Sequence, residues 1–394
     1  MNHSRLLMPY STVMLLFIAG YMTFGLGLSA IESVKKLGIV FSIAGLLLCL
    51  HTAHVRNHKI PNAFKLFILF YVYLVISSIW SPAPALMNSR GMVSILCASL
   101  MVGLSLHLKL ISYRTMLLLL MIPGTLNFIA YFLGINIILE RHDGSEAAIE
   151  QAWKRFSGFI GQPNAFATRG LLPLIFIAAF FKELKKEQTP ASLYSLALFL
   201  TVFVIIASGS KKSVVISAIF LLLLAYQVLS SKVFLSVLVG AVILSLSSMS
   251  VFLHTSELEV VARFQLMISG DDDSTIERLL MMELAPLVFL DNFILGAGLN
   301  GFAYVSGIGA YAHNNALELA ASGGLIGLFL YYPLFIICFF QIYKQFGAVY
   351  TGIFLAFYIF SELTSVMYMD RAYSIILIMV ILLAITKGGE QHGH

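Results

Sequence analysis

Two groups of side chains in this sequence could do chemistry: a histidine at the start of an apolar helix, and a set of cations that nearby acids do not fully balance. The histidine lies in Tyr311-Ala312-His313-Asn314-Asn315-Ala316-Leu317-Glu318-Leu319. Asn314 or Asn315 can cap a helix there, because an Asn side-chain oxygen takes an orphan N–H of the first turn. His313 then stands at the helix N-terminus, where the dipole opposes a positive charge. A neutral imidazole in that place can accept a proton from a hydroxyl group. An interfacial or cap-side histidine without chemistry fits the same spacing. The cations are Arg155, Arg169, the pair Lys211-Lys212 between two apolar runs, Arg278 and Arg371. Cations at a membrane edge are costly and take partners. Glu362 and Asp370 could neutralise two of them. The surplus suits a diphosphate, whose oxygens accept charge-assisted hydrogen bonds from Arg and Lys.

Neighbouring features point to no metal and no cofactor. Asp271-Asp272-Asp273 has no accompanying cluster of His or carboxylates, and a solvated acidic turn explains it. Ser274 followed by Glu277 forms a capping box, which predicts a helix from there to about Asp291 with Arg278 in its first turn. Leu279, Leu280, Met281, Leu284, Leu287 and Val288 surround that helix with apolar surface, so it belongs in the interface or against other helices. Gly296-Ala297-Gly298-Leu299-Asn300-Gly301 breaks it. This cluster has no preceding strand and lacks the spacing of a nucleotide loop. Cys49, Cys97 and Cys338 sit singly in apolar blocks, which excludes a disulfide framework or a zinc site.

A membrane scaffold must position these groups. Of 394 residues, 59% are apolar and 11% charged, and the mean hydropathy is +0.93. Soluble domains carry about 25% charged residues, so a soluble enzyme is excluded. A net charge of +5 without a basic stripe gives no footprint for nucleic acid. The apolar blocks approach the roughly 20 residues a helix needs to cross the hydrocarbon layer. They predict an all-α integral membrane protein of twelve spans: 11–30, 37–54, 63–80, 90–108, 115–135, 164–182, 191–208, 213–230, 233–253, 323–343, 347–366 and 372–387. The first is expected to be retained rather than cleaved, because further spans follow at once.

No repeat or low-complexity linker divides the chain, so residues 1–394 are predicted to form a single polytopic domain. Two connections are long, 136–163 and 254–322. An even number of spans puts both termini on one side. The loops there are rich in cations, among them Arg56, Lys109, Lys185 and Lys344, against Glu183, Glu187 and Glu390. By the positive-inside rule that side is cytoplasmic and the two long loops face outward. A transporter keeps its essential polar groups near mid-membrane. Here they gather at one surface, which argues against a transporter or flippase of lipid-linked sugars.

The chain resembles the O-antigen ligase and polymerase superfamily of bacterial membrane glycosyltransferases. His313-Asn314, nine residues, then Gly324 and Gly327 is similar to the ligase signature. Arg155-Phe156-Ser157-Gly158 through Pro163-Asn164-Ala165-Phe166-Ala167 resembles the family segment entering span six. Ser208-Gly209-Ser210-Lys211 resembles its tight turn, with Lys211 where the family usually has Arg. Glu277-Arg278 through Pro286 and Gly296-Ala297-Gly298 resembles the stretch ahead of the histidine. The motifs cover about 150–330. The resemblance implies a GT-C-like, metal-independent, inverting transferase in the bacterial inner membrane, among membrane lipids, with its site facing the periplasm. The donor would be a glycan on undecaprenyl diphosphate. A ligase would use lipid A–core oligosaccharide as acceptor, and a polymerase another lipid-linked glycan; the signature is shared by both. His313 would orient or deprotonate the acceptor hydroxyl. Arg278 would act with it, and Lys211, Arg155 and Arg169 would hold the diphosphate. Asn314, Gly324 and Gly327 complete the motif.

Overall fold

The computed structural model describes residues 3–83, 85–137, 155–230, 233–234, 236 and 273–386. Among them the regular structure is helical. The chain begins with α1 (His3–Gly20), which runs into a π-helical segment, Tyr21–Gly27. Then come α2 (Glu32–Val55), α3 (Asn62–Ser77), α4 (Ala85–His107), α5 (Tyr113–Leu120) and α6 (Ile122–Phe132). A short turn, Gly158–Ile160, precedes α7 (Pro163–Lys186), α8 (Ala191–Ser208) and α9 (Lys211–Val228). The last part holds α10 (Asp273–Asp291), the single turn α11 (Gly301–Val305), α12 (Asn315–Thr364) and α13 (Arg371–Thr386).

Helices cover the predicted spans apart from 233–253, which lies almost wholly outside the described residues. Among the described residues, eight helical stretches are long and apolar enough to cross a membrane, while α3 and α13 are apolar but shorter. Local sequence explains several ends. Ser112 caps α5 by accepting from the Thr115 N–H. Pro123 lies in the first turn of α6, where its missing N–H costs no intrahelical bond, and the predicted span 115–135 divides just before it, at Met121. Gly209, left-handed at φ 57°, ends α8 and lets α9 start two residues later. The longest element, α12, has 50 residues but is broken at Gly324 and Gly347. Ring contacts of Tyr358 with Phe335 and Phe339 show that the chain doubles back at Gly347 (φ 82°), so α12 contains the two predicted spans 323–343 and 347–366 as a hairpin.

The chain packs as two compact units. One comprises Met1–Ile18, Phe41–Ile111 and Asp273–His394, and the other Ala19–Val40 and Ser112–Asp272. Each is built around an apolar helix buried on every side, as such helices must be. In the first unit it is α13, buried from Ala372 to Ala384 against α4 and α12. In the second it is α7, buried from Phe166 to Phe180 against α8 and α9. The part of the predicted loop 254–322 that is described, 273–322, is largely helical: α10 and α11 precede the first turns of α12. α10 spans the predicted helix, and Met281, Ala285 and Val288 make its buried stripe against Ala297, Phe302, Ala312 and Ala321.

Candidate functional site

His313 occupies the residue just before the N-cap of α12. Asn314 is the cap, its Oδ1 accepting from the Leu317 N–H at 3.0 Å. His313 itself is left-handed, at φ 53°. That conformation costs a non-glycine residue about 1–2 kcal/mol and persists only where surroundings dictate it. Two side chains of the first turns of α12 do so. Asn314 fixes the backbone after the histidine. Glu318, fully buried, fixes the backbone before it, because its Oε2 accepts from the Ala312 N–H at 2.8 Å. Its other oxygen accepts from Ser322 Oγ at 2.8 Å, and that hydroxyl in turn accepts from the Phe302 N–H of α11. The His313 ring lies 4.4 Å from that of Tyr311. Arg278 is half-buried on α10, one turn N-terminal on the stripe that packs toward Ala312.

The glycines on either side of this segment close against each other. Gly324 has φ 62° and interrupts α12. The break frees backbone groups that a membrane interior cannot hydrate. They are satisfied by the chain after α10. Ala297 and Gly298 N–H donate to Ala321 and Ser322 C=O, and Leu325 and Ile326 N–H donate to Phe293 and Ile294 C=O, at 2.8–3.2 Å. Tyr73 OH donates to Leu295 and Gly323 C=O, and Trp80 Nε1 to Gly296 C=O. A Cβ on Gly324 would fall 2.3 Å from Gly296 N, and one on Gly296 (φ 70°) would fall 2.4 Å from Gly324 N. The cluster Gly296-Ala297-Gly298 is therefore a backbone clamp on α12. Gly327 packs on Leu319, where an added Cβ would meet Leu319 Cδ1 at 3.1 Å.

A second buried carboxylate anchors the same helix end. Asn315 Nδ2 donates to both oxygens of Glu362, which also accept from Tyr331 OH and Tyr332 OH. Asn315 Oδ1 accepts from Met367 and Tyr368 N–H. Tyr368, in the connection to α13, is fully buried, and burial holds its hydroxyl well above the usual phenol range. These contacts revise the expectation that Glu362 and Asp370 serve as counter-ions. Glu362 is held by an amide and tyrosines, and Asp370 Oδ1 caps α13 by accepting from Ala372 and Tyr373 N–H.

The predicted cations of the second unit have backbone duties. Arg155 Nε donates to Ser208 C=O at the end of α8, and its Nη2 donates to Asn164 Oδ1. Arg169 is buried, its Nη1 donating to Leu26 C=O in the π-helical segment and to Ser29 Oγ. Lys211 is the first residue of α9, half-buried after the Gly209-Ser210 turn. Asp271 and Asp272 lie outside the described residues.

Residues 196–332 match the family model described as O-Antigen ligase. That segment belongs to the O-antigen ligase and polymerase superfamily. No curated protein matches the chain. Members of the superfamily are glycosyltransferase-like. The O-antigen ligase segment contains Lys211, Arg278, His313, Gly324 and Gly327, while Arg155 and Arg169 precede it. Within it Asn314 is a helix cap, Gly324 a helix break and Gly327 a close-packing point. Sequence reasoning missed Glu318 and Ser322, and it offered Asn315 only as an alternative cap. A Glu in an otherwise apolar first turn is the signal that could have exposed Glu318, because a charged group there needs a buried partner.

Proposed function

We propose that this chain is an O-antigen ligase. It transfers a glycan from undecaprenyl diphosphate to lipid A–core oligosaccharide at the periplasmic face of a bacterial inner membrane. The observation that carries this reading is His313, fixed in a left-handed conformation between a capping Asn314 and a buried Glu318, inside the segment that matches the O-antigen ligase family. An acceptor hydroxyl gives its proton to the imidazole as its oxygen bonds to the anomeric carbon. The bond from that carbon to the phosphate oxygen breaks, the configuration inverts, and the diphosphate leaves with the electron pair. Arg278 shares the unit and the buried stripe with the histidine segment, which supports its role on the developing diphosphate charge. The family resemblance alone points to Lys211, Arg155 and Arg169 as diphosphate ligands, and the backbone bonds of Arg155 and Arg169 compete with that role.

The test is a deletion strain examined by lipopolysaccharide gel, complemented with native chain or His313→Ala. A ligase defect gives bare core with accumulated long lipid-linked chains. Core carrying one repeat instead would establish a polymerase, with another lipid-linked glycan as acceptor. General base catalysis is typically worth about 10²–10⁴-fold in rate. His313→Ala should therefore fail to complement while donor binding to the purified protein persists. Native transfer by His313→Ala would overturn the reading.

A further inference from the structure

We infer that Glu318 is the positioning residue of His313. The inference rests on His313 being the functional base. Three observations carry it. Glu318 is fully buried at the fourth position of α12, yet it reaches back beyond the cap to the N–H of Ala312, the residue immediately before the histidine. His313 has a left-handed backbone, a conformation uncommon for a non-glycine residue. The remaining carboxylate oxygen takes Ser322 Oγ, which also holds the Phe302 N–H, so the carboxylate is braced against a second element before it holds the histidine segment. The arrangement resembles a capping box extended by one residue into the helix and by two residues ahead of the cap, with the carboxylate restraining the chain that enters the helix. Nothing in it touches the acceptor: Glu318 acts through the direction it gives the imidazole.

The bond to Ala312 needs an acceptor oxygen, not a charge. Glu318→Gln keeps the oxygen and the size of the side chain, and its amide can face Ser322 Oγ. Glu318→Leu removes the oxygen and keeps the bulk. Misplacing a catalytic group by about 1 Å can cost on the order of 100-fold in rate. Glu318→Leu should thus lower kcat by about 100-fold with the KM for the lipid-linked donor little changed, and Glu318→Gln should stay within about threefold of native. Ser322→Ala, which removes the brace and leaves the Ala312 bond, should fall between them.

A second readout does not depend on transfer. Carbethoxylation of the purified protein, followed by peptide mass spectrometry, reports the reactivity of each of the ten histidines. In Glu318→Leu the rate at His313 should change several-fold while the other nine keep native rates. In Glu318→Gln all ten should match the native protein. Should His313→Ala retain activity while carbethoxylation still responds to Glu318→Leu, positioning stands and the functional reading of the histidine fails. A Glu318→Leu protein with native His313 reactivity overturns the inference. So does a Glu318→Gln protein as inactive as Glu318→Leu, since that would make the charge itself essential.

Discussion

Around the predicted site residues the two units solve one problem with opposite chemistry, although elsewhere Arg56 serves the Leu108 C=O in the unit that carries His313 and Glu187 the Tyr113 and Arg114 N–H groups in the other. In a membrane, every backbone group freed by a helix break or end must find its partner inside the protein. The unit formed by Ala19–Val40 and Ser112–Asp272 has freed carbonyls, at Leu26 and Ser208, and satisfies them with the guanidinium groups of Arg169 and Arg155. The unit that carries His313 has freed N–H groups, at Ala312, Met367 and Ala372, and satisfies them with Glu318, Asn315 and Asp370. Buried charge here therefore has a structural duty before any catalytic one. A surplus of cations in a membrane sequence overstates the number of groups available to a phosphate. Among the predicted ligands, Arg155 and Arg169 have such a duty.

The largest effect should come from the point where the first unit needs no side chain at all. Gly324→Ala adds a Cβ 2.3 Å from Gly296 N and 2.4 Å from Ile294 O, with both partners being backbone that cannot rotate away. The left-handed φ of 62° adds roughly 1–2 kcal/mol. Separating the clamp also exposes donors and acceptors that lose about 1–3 kcal/mol each when buried without partners. The variant should be nearly absent from membranes in an expression blot, whereas Gly307→Ala, where an added Cβ meets nothing within 4 Å, should accumulate at much higher levels. Equal accumulation of the two would show that the clamp does not hold α12.

The next test is the carbonyl side. Arg169→Met leaves Leu26 C=O without its donor, and should cost about 1–3 kcal/mol. If the comparison between the units is right, less protein survives in detergent at elevated temperature, but each surviving molecule transfers glycan at the native rate. Arg169→Lys, which retains a donor, should recover part of the stability. A stable Arg169→Met protein with no transfer would return Arg169 to the diphosphate and break the comparison.

Legibility followed the range of the interaction. Hydropathy located helices because crossing a membrane demands about 20 apolar residues in succession, whatever they pack against. Asn314 announced α12, because a cap acts within one turn of its own residue; α10 was expected to start at Ser274 and begins one residue earlier, at Asp273. The division at Met121 had a visible marker in Pro123 that the span bounds passed over, whereas the π-helical segment at Tyr21–Gly27 was not visible, since local packing decides it inside an apolar run. Arg169 and Leu26 are 143 residues apart, and Asn315 and Glu362 are 47 apart, so no spacing rule could pair them. Gly296 was visible as a break and Gly324 as a motif glycine. Their mutual dependence was not, because a glycine's sequence context shows that a Cβ is missing and not what stands in its place.

Asp370 separates the two kinds of charge most finely. Its Oδ1 accepts from Ala372 and Tyr373 N–H at 2.8 and 2.9 Å, the geometry of an N-cap at the entrance to α13. Removing such a cap costs about 0.5–2 kcal/mol, so Asp370→Ala should lower the thermal midpoint modestly without abolishing insertion. Asp370→Asn keeps the acceptor oxygen and discards the charge. Asn and Asp are about equal as caps, so the Asn variant should lie close to native. Replacing a counter-ion would act differently, because Asn would lose the pairing as completely as Ala does. The measurement is detergent-solubilised thermal stability of the three proteins at low and at high salt. A cap predicts native ≈ Asn > Ala at both, since hydrogen bonds to backbone are little screened. A drop for Asn equal to that for Ala, and shrinking at high salt as exposed ion pairs do, would restore Asp370 to the role of counter-ion and weaken the contrast between the two units.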